Sequence, residues 1–538
     1  MFPKLLFFFI CLHLCIYEVF TSVTVVTPVG HIRGLVRENY TMFLGIPYGV
    51  VDETNPFGNA KPHPYFSTAY EAYEDIGELE CPQYNNGVIS GTIQCLRLNI
   101  YIPNTASTLN DLPVMVYIHG GAFVEGNGAR NSYNPKYLIK HEVIFVSINY
   151  RLGPYGHLCV PHTEYSNQAL KDQSLALRWI KNNIRHFGGD TNNIVLLGQS
   201  SGSVSVHFHL LFDKDILFNK VILQSGSAVS SIVNSATDIA TFARDVGLDD
   251  ENIDLVRFIQ TISALDTKTI INITKFYDFR PCFDGEYISK TPIMRNLQNI
   301  KLMVGGTSLE ALYFFYYEDG YDRFDFVTEL NKAVSVSKMA DSSDAIDVVK
   351  LFYLDNLKIN VIDFQSDLTF NFPIERTVRY YVQNRCTVYQ YLFTYDGQRN
   401  FMKVRENITT PGSTHADELG YLFDMPLLEA QGDPTVEDQV IIDRMTLLWT
   451  NFAKYGDPTP QTSNLLPVRW TPVTAGAKRY LQIDTEMGLH SGPFERHMAF
   501  WNAYYEKYRN YVNGIDLGDF SPKFYEKMNL RSKSKYCC

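Results

Sequence analysis

Ser200 lies in Gly198-Gln-Ser-Ser-Gly202, directly after the apolar run Ile194-Val-Leu-Leu197. The run reads as a buried strand and the small polar residues after it as the first turn of a helix, so Ser200 falls on a tight strand-to-helix turn. Such a turn demands glycine two positions to either side, where a side chain would strike packed neighbours, and it lifts the hydroxyl clear of the sheet. Held that way, a serine can attack a carbonyl carbon if a base takes its proton and donors receive the oxyanion. G-x-S-x-G alone also occurs in ordinary Gly/Ser-rich loops, so the other components decide the reading.

Three such components are present. Val114-Met-Val-Tyr-Ile118 runs into His119-Gly120-Gly121, where the glycine pair exposes backbone N–H groups. Together with the N–H of Ser201 they could point at the oxygen of a tetrahedral intermediate. Leu302-Met-Val-Gly-Gly-Thr-Ser-Leu-Glu310 is a second strand that delivers a carboxylate, and His415 stands in the polar turn Gly412-Ser-Thr-His-Ala-Asp-Glu418. The order Ser, acid, His is that of the α/β-hydrolases and differs from the two common serine-protease orders. The competing readings are a plain Gly-Gly turn, a surface Glu310 and a structural His415. Asp417 and Glu418 are rival acids, but they adjoin the histidine in sequence and are expected to hold its loop.

These residues must be positioned by strands. A hairpin is expected from Val23–Thr27 and His31–Leu35, followed by short runs at 98–101, 114–118, 143–148, 194–197 and 221–223, with later strands at 302–304, 388–393 and 479–483. Helical patterns separate the later runs, notably Ala169 to Phe187, and such alternation implies an α/β fold with a mostly parallel sheet. Residues 230–300 and 320–380 are expected to form helical insertions over the active site. No linker, low-complexity tract or repeat divides the 538 residues, which predicts a single domain over 22–538.

A composition of 45% hydrophobic and 20% charged residues is that of a globular chain. A net charge of -11 argues against nucleic acid or an anionic membrane as partner. The apolar stretch Leu5 to Ile16, too short to span a bilayer, reads as a signal peptide over 1–21, and no other stretch reaches transmembrane length. The expectation is a secreted protein without a membrane span. Cys81 and Cys95 flank a short Pro/Asn/Gly-rich loop and suit a disulfide in an oxidising compartment, whereas Cys159, Cys282 and Cys386 look isolated. Cys537 and Cys538 end the chain beside lysines, a tail that prenylation enzymes would not meet on a secreted protein. Sequons at Asn39, Asn272 and Asn407 are candidate glycan sites.

With these pieces in place the chain resembles a type-B carboxylesterase of the carboxylesterase/cholinesterase family, with the flavour of an insect esterase. The likeness runs from Val23 to about Tyr505 through co-linear stretches: Phe43-Leu-Gly-Ile-Pro-Tyr48, Pro113 to Phe123, Asn149-Tyr-Arg-Leu-Gly-Pro154, the elbow, Leu223-Gln-Ser-Gly226, Thr307 to Glu310, His415 to Phe423 and Trp449 to Asp457. The resemblance implies an α/β-hydrolase fold and a Ser200–Glu310–His415 triad. It also implies oxyanion donors from Gly120, Gly121 and Ser201, a Cys81–Cys95 disulfide, a small ester as substrate, and no metal or cofactor. Departures are Ser201 for the usual Ala, Gln199 for the Glu common in cholinesterases, and Ala311 for Gly after the acid. Cys282 lacks an obvious mate, so the family's second disulfide looks absent. The alternative function is a non-catalytic, cholinesterase-like binding or adhesion protein. Within the enzyme reading, the loop from Pro82 to Gln94 has no tryptophan to face a choline cation. Neutral esters are therefore expected, and juvenile-hormone-type or odorant esters are among the candidates.

Overall fold

The computed structural model describes residues 21–518 except 108, 110, 161, 234–237, 249–252, 294 and 317–323. Residues 1–20 of the signal peptide expected over 1–21, and the cysteine pair at 537–538, lie outside the described residues. The strands are β1 Ser22–Thr27, β2 Gly30–Val36, β3 Tyr40–Pro47, β4 Arg97–Pro103, β5 Leu112–Ile118, β6 Ile144–Ile148, β7 Gly189–Gln199, β8 Lys220–Gln224, β9 Lys301–Thr307, β10 Thr387–Phe393, β11 Arg479–Ile483 and β12 Gly488–Ser491. They form one sheet in the order β1-β2-β3-β4-β6-β5-β7-β8-β9-β10-β11-β12, and short Tyr70–Glu71 adds to β2. Pairing is parallel from β6 through β11 and antiparallel at both ends. The α/β expectation holds, with a mixed, mostly parallel sheet.

Period-two side-chain alternation builds the layers. Val114, Val116 and Ile118 of β5, with Leu196 of β7 and Val304 of β9, point into one core, while Met115, Tyr117, Leu197 and Met303 point into the other. The first face is covered by α1 Gln168–Asn183, α2 Ser201–Phe212 and α4 Phe372–Gln383; α3 Phe326–Ala333 stands in a third cluster. The second face is covered by α5 Val436–Tyr455, opened by a Thr435/Asp438 capping box and closed by Gly456 at φ +63°. The last α-helix among the described residues is α6 Glu495–Lys507. The expected helix from Ala169 to Phe187 is α1 followed by one 3₁₀ turn, Ile184–Phe187.

The motif after β6 contains a fully buried ion pair. Arg151 Nε and Nη2 donate to the two oxygens of Asp172 on α1 at 2.7 and 2.8 Å, and Nη1 donates to the carbonyls of Pro56 and Gly58. Both side chains are completely buried. One guanidinium thereby ties three segments together.

Cys81 and Cys95 are bonded, Cα–Cα 5.0 Å, closing the loop that carries the Gln83–Asn85/Val88–Ser90 hairpin. The reading of Cys159 and Cys282 as isolated thiols is overturned: they form a second disulfide across 123 residues, Cα–Cα 6.2 Å. Asn167 supplies the cause, since its side chain accepts from Cys282 N at 2.9 Å and donates to Cys282 O at 3.0 Å. This clamps the 282 segment beside the Cys159–Ser166 bridge. Cys386 is a buried free thiol, as expected.

Candidate active site

The expected turn is formed at Ser200. β7 ends at Gln199, α2 begins at Ser201, and Ser200 between them has φ +57° and ψ -129°. That backbone costs a non-glycine residue of order ~1–3 kcal/mol. It is held by Ser200 N donating to Gln224 O at 2.9 Å and by Val204 N donating to Ser200 O at 3.0 Å. A Cβ at Gly198 would collide with the main chain of Gly202, and one at Gly202 with the carbonyl of Ile118. Both elbow glycines are therefore required by close approach.

Gly120 lies against Ser200: a Cβ there would sit 3.0 Å from that of the serine. Gly121 has φ +112° and its carbonyl accepts from the N–H groups of Val124 and Glu125, turning the chain away. The backbone N–H groups of Gly120, Gly121 and Ser201 donate to nothing among the described residues. Ser201 in place of alanine is buried and leaves its own N–H, at the first position of α2, without an intrahelical acceptor.

His415 and Glu310, 105 residues apart, meet. His415 Nδ1 stands 2.7 Å from Glu310 Oε2, and both side chains are almost wholly buried. A carboxylate at that distance keeps a proton on Nδ1, so Nε2 presents its lone pair. The amide nitrogen of Gln199 lies 3.2 Å from Nε2 and donates to it. The other oxygen of Glu310 accepts from Thr307 N at 2.8 Å and Ser225 Oγ at 2.7 Å. Ala311 needs no glycine conformation, and its N–H donates to Ser366 Oγ.

The rival acids hold the loop, as expected. Asp417 accepts from Thr414 N, Lys403 N and the Asn400 amide. Burial still pushes its carboxyl up to about 7. Glu418 accepts from the amide of Gln224, whose oxygen in turn accepts from Trp449 Nε1. Its second oxygen is buried without a partner, and burial plus the nearby Glu310 charge push it up to about 8. Burial and the Glu310 charge thus both favour the neutral form of Glu418.

Sequence reasoning passed over Ser225 and the Gln224–Glu418–Trp449 chain. Ser225 sits at φ +50° just past the end of β8. Its signal was the small-residue turn Ser225-Gly226 at the carboxyl end of a strand neighbouring the one that leads to Ser200.

Glu418 yields a pH prediction. Its carboxyl is raised from 4.5 to about 8 on folding, so the folded state binds the proton more tightly. The contribution is full below 4.5 and is lost as pH rises toward 8. The stability of Glu418→Gln relative to the parent should rise by a few kcal/mol across that window and stay level above it. Denaturant midpoints at stepped pH measure this. A difference independent of pH would mean that Glu418 is already ionised in the fold.

The comparisons with known proteins agree with this architecture. The sequence model of the carboxylesterase family matches residues 21–501. Human bile salt-activated lipase is 29% identical over 529 residues, covering 88% of this chain and 67% of its own. Acetylcholinesterase from Bungarus fasciatus is 28% identical, covering 91% and 88% respectively. Among solved structures, juvenile hormone esterase from Manduca sexta superposes with a TM-score of 0.76 at 24% identity, covering 90% of this chain and all of that one, a likeness of fold. The family match over nearly the whole described chain makes this protein a member of the carboxylesterase family, a carboxylic ester hydrolase.

Proposed function

We propose that the chain is a secreted serine esterase that hydrolyses neutral carboxylic esters through an acyl-enzyme on Ser200, with His415 as base, Glu310 as its orienting acid, and Gly120, Gly121 and Ser201 as oxyanion donors. The observation that carries this reading is the 2.7 Å Glu310–His415 contact, which leaves the Nε2 lone pair beside the residue preceding Ser200. In the reaction, an ester displaces the Gln199 amide from Nε2 in favour of the Ser200 hydroxyl. Oγ bonds to the carbonyl carbon, its proton passes to Nε2, and the negative oxygen is received by the three free N–H groups. Collapse breaks the bond to the alcohol, which leaves with the proton from Nε2. Water then attacks the acyl-enzyme with His415 again as base, and releases the acid. Glu310 stabilises the imidazolium at both stages, and Ser225 and Thr307 hold its carboxylate in place.

Secretion is supported by two disulfides and by the exposure of all three sequon asparagines, Asn39, Asn272 and Asn407. Enzymatic deglycosylation of the secreted protein should increase its gel mobility. Unchanged mobility would remove the glycans from this account.

Preference for neutral substrates is supported by the surroundings of His415. The rings of Phe370, Tyr313 and Phe314 have centroids 4.7, 5.8 and 6.3 Å from its own, and Phe314 is 42% exposed. Juvenile-hormone-type and odorant esters fit that apolar chemistry. A choline cation would want a tryptophan face and a nearby carboxylate, and position 199 offers an amide. An uncharged thioester should therefore exceed butyrylthiocholine in kcat/KM by at least about tenfold, ~1.4 kcal/mol in the transition state. The reverse ratio would refute the preference.

A further inference from the structure

Far along the chain from the elbow, a cavity of about 1000 Å³ is lined by Lys290, Lys332, Lys338, Arg376 and Arg509, with Asp516 as the one carboxylate among its described lining residues. None of its lining residues belongs to the triad or the oxyanion turn. In a chain of net charge -11, five lining cations against Asp516 and the Glu329 that pairs with Lys332, among the described residues, is a local reversal of sign. Like charges gathered at a cavity repel one another, and an anion bound among them removes that cost.

The cavity is built rather than being a gap between flexible side chains. Its wall is the strap after α6, which is tied by backbone bonds: Ser335 N to Tyr511 O at 2.8 Å, Asn513 N to Ala333 O at 2.8 Å, and Asp516 N to Lys290 O at 2.7 Å. Asn513 also donates its amide to the carbonyls of Asn331 and Lys332 at the end of α3, and its oxygen accepts from Ser335 Oγ. Arg376, on α4, is 2% exposed and lies over the Tyr505 ring at 5.6 Å, with Nη2 directed at the carbonyl of Ile515. Lys332 is paired with Glu329. The side chains of Lys290, Lys338 and Arg509 are exposed, and among the described residues they make no hydrogen bond or ion pair. Three uncommitted cations therefore stand around a cavity with a buried fourth.

We propose that this cavity binds a small polyanion bearing phosphate or sulfate groups. Tetrahedral oxyanions offer several acceptors to Lys ammonium and Arg guanidinium donors at once, which a carboxylate does less well. The volume takes a molecule of ordinary metabolite or oligosaccharide size.

Calorimetry on the full chain tests it, with inorganic pyrophosphate in one arm and sucrose octasulfate in the other, each against sodium chloride of matched ionic strength. Saturable binding with Kd below about 1 mM is expected in at least one arm, and the arm that responds identifies phosphate or sulfate as the group read. Rising salt should weaken it. The Lys338→Glu/Arg509→Glu variant should bind at least about tenfold more weakly while ester turnover stays unchanged. If that variant does not fold, the single Lys290→Glu variant, from a different segment, should show a weakening of about threefold or more. No saturable binding in either arm, or equal binding by parent and folded variant, would overturn the proposal.

Discussion

Ser200→Ala is expected to lower kcat by about four to six orders of magnitude with KM little changed. On the proposed mechanism the size follows from the removal of covalent catalysis as a whole. Without Oγ, neither the Nε2 lone pair of His415 nor the three free N–H groups has a reacting atom at the right place, and the remaining components promote only weak attack by water. Losing His415 should cost a similar amount, because it is the one base the proposed mechanism uses and the effects of such a unit do not add. The fold should survive Ser200→Ala, since the strained backbone there is held by the Gln224 and Val204 bonds and not by the side chain. A fluorophosphonate probe should label Ser200 alone, as read by peptide mass spectrometry. A label on another residue, or ester turnover undiminished in Ser200→Ala, would remove the nucleophile from this account.

The largest stability effect is expected at Arg151. Replacing it with Met leaves Asp172 a fully buried carboxylate without its partner, at a cost of about 3–5 kcal/mol. The carbonyls of Pro56 and Gly58 lose their donor as well, adding about 1–3 kcal/mol. A combined Arg151→Met/Asp172→Leu variant removes the stranded charge and should recover part of the loss, though not the two carbonyls. Urea midpoints for parent, single and double variants give the comparison. A single variant as stable as the parent would mean that solvent reaches Asp172, contrary to its complete burial.

How much of this could be read beforehand depended on how local each feature is. The elbow was legible because its requirements lie within five residues: a strand before Ser200, and glycines where Gly198 and Gly202 meet other main chain. The strands of the parallel sheet were legible for the same reason, since apolar runs of β-branched residues bounded by turns need no distant partner to be recognised. The Cys81–Cys95 bond lay within reach of spacing, at a separation of 14. The Cys159–Cys282 bond did not, because it depends on Asn167 clamping a segment more than a hundred residues away.

The choice among three acids was open to sequence only through order and resemblance. Asp417 and Glu418 are the nearest acids to His415 along the chain, yet Glu310 reaches its ring nitrogen. Tertiary register decides this: β8 and β9 pair in parallel with Gln224 opposite Gly305. That pairing brings Ser225 to the carboxylate of Glu310, while Gln224 donates to Glu418 in the separate turn that carries His415. Of two buried acids near one histidine, Glu310 is then held by a hydroxyl, a backbone N–H and the imidazole. Glu418 receives one amide, and burial and repulsion favour its neutral form. The sequence by itself determined which backbone turns could form and which residue types they would present. The roles of otherwise similar side chains were decided only in the folded chain, because burial, neighbouring charge and hydrogen-bond donors arise between segments that sequence does not place side by side.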